Sequence, residues 1–231
     1  MLKLRPAEER GHMQIDWLDS RHTFSFGYYH DPAHMNFRAL RVINEDVIAP
    51  GAGFPTHPHR DMEILTWVLE GTLRHHDSLG HTAELRAGEI QYLCAGTGVT
   101  HSEYNDSNYA PLHLLQVWLV PERRGLPAAY RQTAIDLGRI NRWHCLAAPA
   151  GRDAAVTLHQ DTSMFVARLD AGTTLDYALA PGRHAWLQIA RGGVVTNGTL
   201  MSAGDGLAVA DESALSIKAG HESEVLLFDL A

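Results

Sequence analysis

Thr66-Trp-Val-Leu-Glu-Gly71 and, 121 residues further on, Leu187-Gln-Ile-Ala-Arg-Gly192 are the stretches on which the fold turns. Each is a short run of mostly apolar residues stopped by glycine. Each is followed by an Ala-Gly-acid turn, Arg86-Ala-Gly-Glu89 in the first case and Ser202-Ala-Gly-Asp205, 116 residues later, in the second. The same units in the same order indicate a duplicated β-domain. Outward from Thr66 the strand rhythm continues through Ala39-Leu-Arg-Val-Ile43, Ile64-Leu-Thr-Trp-Val-Leu69, Thr72-Leu-Arg-His-His76, Gln91-Tyr-Leu-Cys94 and His113-Leu-Leu-Gln-Val-Trp-Leu-Val120. Gly-Ala-Gly, Glu-Gly, Leu-Gly and Gly-Thr-Gly turns cut these runs apart. Long helical periodicity is absent, and the spacing is that of sandwiches and jelly rolls. Arg123-Arg-Gly-Leu-Pro-Ala-Ala-Tyr130, with glycine, proline and little strand signal, is the expected connection, which sets a first domain at 1–128 and a second at 129–231.

Composition narrows the function classes. Of 231 residues 45% are hydrophobic and 20% charged, an ordinary globular balance. No run approaches the roughly 18 apolar residues that a membrane span requires, so none is expected. The opening Met1-Leu-Lys-Leu-Arg-Pro-Ala-Glu-Glu-Arg10 lacks a basic segment, an apolar run and a small-residue cleavage site, so the cytoplasm is the expected compartment. Two cysteines, Cys94 and Cys145, make no disulfide framework and are expected as reduced thiols. With 27 acidic against 19 basic residues the formal charge is −8, which repels a phosphate backbone and argues against direct nucleic-acid binding. The anomaly is histidine, present fifteen times, the commonest metal-ligating side chain.

The histidines gather in Gly51-Ala-Gly-Phe-Pro-Thr-His57-Pro-His59-Arg-Asp-Met-Glu63 and in Gly96-Thr-Gly-Val-Thr-His101-Ser-Glu103-Tyr-Asn105. Side chains alternate along an extended backbone, so His57 and His59 share a face, as do His101 and Glu103. Two such pairs on facing strands converge. Nitrogen and carboxylate donors of this kind suit iron, manganese, cobalt, nickel, copper or zinc at roughly 2.0–2.2 Å, with positions left over for water or substrate. Glu63 has the parity of His57 and His59 and is a second carboxylate within reach, as a ligand or as a hydrogen-bond partner orienting one. The second half offers no such set. The same offsets carry His57, His59, His101 and Glu103 onto Ala178, Ala180, Ile217 and Ala219, no H-x-H or H-x-E follows Asn105, and His144, His159, His184 and His221 stand alone.

His57-Pro-His-Arg-Asp-Met-Glu63, Leu69-Glu-Gly71, Ala95-Gly-Thr-Gly-Val-Thr-His-Ser-Glu103 and the opening Trp17-Leu-Asp-Ser-Arg-His-Thr-Phe-Ser-Phe26 resemble the pirins, a family of the cupin superfamily, over most of the chain. The resemblance implies an all-β bicupin, two stacked β-sandwich or jelly-roll barrels, with one metal in the first. It implies His57, His59, His101 and Glu103 as ligands, whereas cupins in general take their carboxylate from the position matching Glu63. Bacterial pirins of this type are similar to quercetin 2,3-dioxygenases. That implies oxygen-dependent opening of a flavonol ring with release of carbon monoxide, Fe(II) as the expected ion, with Zn, Ni, Mn, Co or Cu as alternatives, and Glu103, or Glu63 behind it, as the acceptor of the flavonol proton. The expected partners are a flavonol or related polyphenol and dioxygen, and the expected state is a monomer. The alternative from another class is a redox-sensing, metal-binding regulatory protein with a protein partner; an oxygen-independent cupin isomerase is a third. Trp17, Phe24, Phe26, Tyr28 and Tyr29 are candidates to cap a flat apolar slot or simply to fill the core. Arg60 and Asp61 either tune the site or pair with each other.

Overall fold

A computed structural model describes all 231 residues. In chain order the strands are β1 (Leu2–Arg5), β2 (Gly11–Ile15), β3 (Leu18–His22), β4 (Leu40–Ile48), β5 (Gly53–His59), β6 (Glu63–Glu70), β7 (Thr72–Asp77), β8 (Thr82–Arg86), β9 (Glu89–Cys94), β10 (Val99–Asn105) and β11 (Leu112–Leu119). They continue as β12 (Ala129–Ala134), β13 (His144–Pro149), β14 (Val156–Leu158), β15 (Thr162–Leu169), β16 (Thr174–Ala178), β17 (His184–Arg191), β18 (Gly193–Thr196), β19 (Thr199–Ser202), β20 (Gly206–Val209), β21 (Ala214–Ala219) and β22 (Ser223–Leu230). One 3₁₀ turn, Ala7–Glu9, is the sole helical element, and no helix is long and apolar enough to cross a membrane. The chain is all-β, as its alternating apolar runs and glycine turns require.

Two compact units result, Gly11–Ile135 and Met1–Arg10 with Asp136–Ala231. A division at 128/129 follows the punctuation of the sequence, but strand pairing draws the line elsewhere. β12 adds to β9, from Ala129 opposite Cys94 to Ala134 opposite Glu89, and so belongs with the first unit. β1 adds to β20, from Leu2 opposite Val209 to Arg5 opposite Gly206, and so belongs with the second.

Each unit is a seven-stranded sheet and a four-stranded sheet. In the first the orders are β12-β9-β6-β11-β4-β3-β2 and β5-β10-β7-β8; in the second they are β1-β20-β17-β22-β15-β13-β14 and β16-β21-β18-β19. Inward-facing residues of the first unit form two apolar clusters. Leu18, Ile48, Val68, Leu73 and Leu114 belong to one, and Ile64, Leu93, Val99 and Tyr130 to the other. The second unit has one continuous apolar core that includes Leu187, Leu207, Ile217, Val225 and Leu227.

Two local features place the functional side chains. Gly53 lies so close to β10 that an added Cβ would sit 2.2 Å from the Glu103 carbonyl oxygen, so only glycine lets β5 and β10 approach there. His101 pairs with His57 but Glu103 pairs with Phe54, a bulge that puts Pro55 and Thr56 opposite Ser102 alone. After His59 the chain turns through Asp61, at φ 53°, out of the four-stranded sheet and into β6 of the seven-stranded one.

Candidate metal centre

His57 and His59 arrive on β5 and His101 on β10, and their rings meet. The centroids lie 4.7 Å apart for His57 and His59, 4.5 Å for His57 and His101, and 4.8 Å for His59 and His101. One ligand atom from each of the three lies within 4.8 Å of the others. A second set, His75, His101 and Glu103, satisfies the same limit, so His101 joins both and Glu103 reaches the cluster through it. His101 and Glu103 are almost fully enclosed, at 1% and 2% exposure. Both ring nitrogens of His101 and Oε1 of Glu103 are buried without a hydrogen-bond partner. Such groups cost about 1–3 kcal/mol each when left so, and a cation between them would satisfy one His101 nitrogen together with Glu103 Oε1. The donor set fits a divalent transition metal.

The surrounding bonds orient the donors. His57 Nδ1–H donates to the Pro55 carbonyl at 2.8 Å, which leaves Nε2 as its lone-pair nitrogen. Gln116 Nε2 donates to Glu103 Oε2 at 2.9 Å, and Trp118 Nε1 donates to Gln116 Oε1 at 3.1 Å. Glu103 is thereby fixed with one oxygen engaged and the other left over. His75 Nε2–H donates to Asp77 Oδ2 at 2.9 Å, leaving Nδ1 buried and unpartnered beside His101. Burial, then the neighbouring imidazoles, pulls His59 down to about 4 and His101 to about 3, so at neutral pH both are uncharged and able to bind a metal.

Glu63 is not brought to this cluster. Neighbouring Ile64 packs with Leu93, Val99 and Tyr130, so Glu63 emerges on the opposite face of β6, where Tyr92 donates a 2.7 Å hydrogen bond to its Oε1. The parity shared with His57 and His59 is lost in the turn at Asp61, whose carboxylate accepts the Gly125 N–H at 2.7 Å. Arg60 and Asp61 are not bonded to each other in the structure. Of the five N-terminal aromatics, Phe26 lines the cavity beside the histidines and packs against Trp118. Trp17 packs on Phe54, Phe24 is core, Tyr29 lies against His22, and Tyr28 is fully exposed.

That cavity holds about 270 Å³ and opens onto His57, His59 and Glu103. Leu18, Phe26, Phe54 and Trp118 give it apolar walls, while Ser20, His22, Asn44, Asp46 and Gln116 line it from the seven-stranded sheet. Ser20 Oγ–H donates to Asp46, and His22 Nε2–H donates to Ser20 Oγ at 2.8 Å. Burial pushes the Asp46 carboxyl up to about 7, against the bond from Ser20. His75, Gln116 and Asp46 are the residues that motif reading misses. The alternation Leu73, His75, Asp77 in the burial of β7 is the one signal that points inward for His75.

Two barrels in one chain, the first with imidazoles and a carboxylate converging at a cavity, define a bicupin that binds a divalent metal. Residues 3–119 match the Pirin family model, and residues 145–230 match that of the quercetinase C-terminal cupin domain. The chain is 49% identical over 230 residues to "Quercetin 2,3-dioxygenase" of Escherichia coli (strain K12), covering all of this chain and 99% of that protein. It is 38% identical to "Pirin-like protein" of Caulobacter vibrioides, covering all of both. The crystal structure of the bacterial pirin YhhW from Escherichia coli in complex with nickel(II) superposes with a TM-score of 0.95 at 48% identity, covering all of this chain and 99% of that one. The chain belongs to the pirin family.

Proposed function

We propose that the protein is a dioxygenase that opens the central ring of flavonols such as quercetin with dioxygen and releases carbon monoxide. His57, His59, His101 and Glu103 hold its metal, and Fe(II) is the ion we assign, because oxygen chemistry calls for a redox-active one. The observation that carries this reading is the cavity. An apolar slot of about 270 Å³ opens onto three of the four proposed ligands. It lies just below the usual range of about 300–1,000 Å³ for ligand sites, as suits a compact flat polyphenol. A protein that only senses redox state has no use for such a slot. The relative from Escherichia coli that matches end to end is named for this reaction.

When bound, the metal supplies Lewis acidity to the hydroxy-oxo edge of a flavonol and redox access to dioxygen. The chain's own residues do the rest. Phe26, Phe54 and Trp118 hold a flat ring system and keep water away from it. Glu103, fixed through Oε2 by Gln116 and facing the metal with Oε1, takes the proton of the flavonol 3-hydroxyl on the lone pair of Oε1 that a metal ion would leave free. Glu63, on the far face of β6, has no part in this assignment.

The test is reconstitution with Fe(II) under anaerobic conditions, then addition of a flavonol with and without oxygen while flavonol absorbance and carbon monoxide are followed. Oxygen-dependent loss of the flavonol is expected in the wild type, and His57→Ala or His101→Ala should lower it at least about 100-fold. Undiminished turnover in those variants, or no turnover of any flavonol, overturns the reading.

A further inference from the structure

The end of the cavity formed by the seven-stranded sheet has a polar wall that nothing in the reaction above uses. Asn44 and Asp46 stand two apart on β4 and so face the same way, directly opposite His22 and Ser20 of β3. Asn44 and Asp46 are each 3% exposed, and both line the cavity. Asn44 Oδ1 is buried with no hydrogen-bond partner. The Asp46 carboxyl accepts from Ser20, whose hydroxyl also receives His22 Nε2–H. Asn44 lines the slot, and a buried amide oxygen without a partner is an acceptor awaiting a donor. Asp46 lies in neither ligand cluster.

We propose that Asn44 and Asp46, steadied by Ser20, form a subsite for phenolic hydroxyls on the part of the ligand remote from its metal-binding edge. The subsite sets a preference for polyhydroxylated flavonols over bare ones. The inference rests on the flavonol reading for its ligand class, and it makes these side chains positioning and specificity residues. A site that hydrogen-bonds a substrate hydroxyl discriminates against the analogue without it, because the protein's buried polar groups are then left unpaired.

The experiment compares quercetin with 3-hydroxyflavone, which keeps the chelating hydroxy-oxo edge and lacks every other hydroxyl. Binding to nickel(II)-loaded protein is read without oxygen from the shift of the flavonol absorbance band. Wild type should bind quercetin about tenfold more tightly, the equivalent of roughly 1.4 kcal/mol. Asn44→Leu combined with Asp46→Leu should bring the ratio to about one while 3-hydroxyflavone keeps its affinity within about twofold, which also shows that the variant is folded. Asn44→Ala, which keeps the Ser20–Asp46 bond, should give an intermediate ratio. Equal binding of the two ligands by wild type, or an unchanged ratio in the variants, overturns the subsite. Failure of both ligands to bind wild type overturns it as well. Admission of oxygen to the iron-loaded protein separates the two readings, for a bound flavonol that is never consumed sinks the dioxygenase and leaves the binding ratio to judge the subsite.

Discussion

Across the seven-stranded sheet of the first unit runs the row Gln132, Gln91, Thr66, Gln116, Asn44, His22, each residue directly opposite the next. Across the matching strands of the second runs Leu4, Leu207, Leu187, Leu227, Phe165, Cys145. The four-stranded sheets differ in the same sense. His101 stands opposite His57 and Glu103 opposite His75 in the first unit, where Ile217 stands opposite Leu175 and Ala219 opposite Val194 in the second. One strand order therefore supports a barrel with a polar floor and a barrel with an apolar one. The β-scaffold fixes where inward side chains sit, and the side chains alone decide whether the interior binds a ligand or only holds the fold together.

The largest expected effect follows from His101, which belongs to both ligand clusters. His101→Ala should take metal content from one ion per chain to none after dialysis against a divalent metal, as read by elemental analysis. Replacement of His184 and His221 by alanine should leave it at one; loss of metal in that double variant would move the site to the second unit. Next comes the apolar row. Leu227 is completely buried at the position that matches Gln116, and Leu227→Ala should destabilise the protein by about 2–5 kcal/mol in urea unfolding without changing metal content. A cost below about 1 kcal/mol would show that the second core is not the tightly packed one.

Much of this contrast was legible before any coordinates. The duplication, the β-class and the meeting of His57, His59 and His101 rest on short-range periodicity, which strands preserve, whereas Glu103 groups with His101 and His75. What was lost is whatever depends on a turn or on distant pairing. Glu63 keeps the arithmetic parity of the H-x-H pair, but Asp61 at φ 53° passes the chain from one sheet to the other and turns that side chain to the opposite face. Carried offsets failed for β16 by three residues. Ala178 and Ala180 point outward, and Leu175 occupies the place opposite Ile217. β1 reads as Leu-Lys-Leu-Arg, a plausible edge strand, yet its partner β20 lies some two hundred residues away and nothing local names it. The polar row escaped because its members sit one to a strand, and only register assembles them.

The smallest effect tests the comparison most finely, because it asks whether polarity at the first site is a cost that metal offsets. In the absence of metal both nitrogens of His101 are buried and unpartnered, a state worth about 1–3 kcal/mol of lost stability. His101→Leu makes that position resemble Ile217 of the second unit. Metal-free His101→Leu should therefore be more stable than metal-free wild type by about 1–3 kcal/mol in urea unfolding. With metal present the order should reverse, since an ion at a thousand times its dissociation constant adds about 4.1 kcal/mol to a protein that binds it and nothing to one that does not. A variant less stable than wild type in both conditions would show that His101 contributes packing that leucine cannot replace. The two barrels would then differ by shape as well as by polarity.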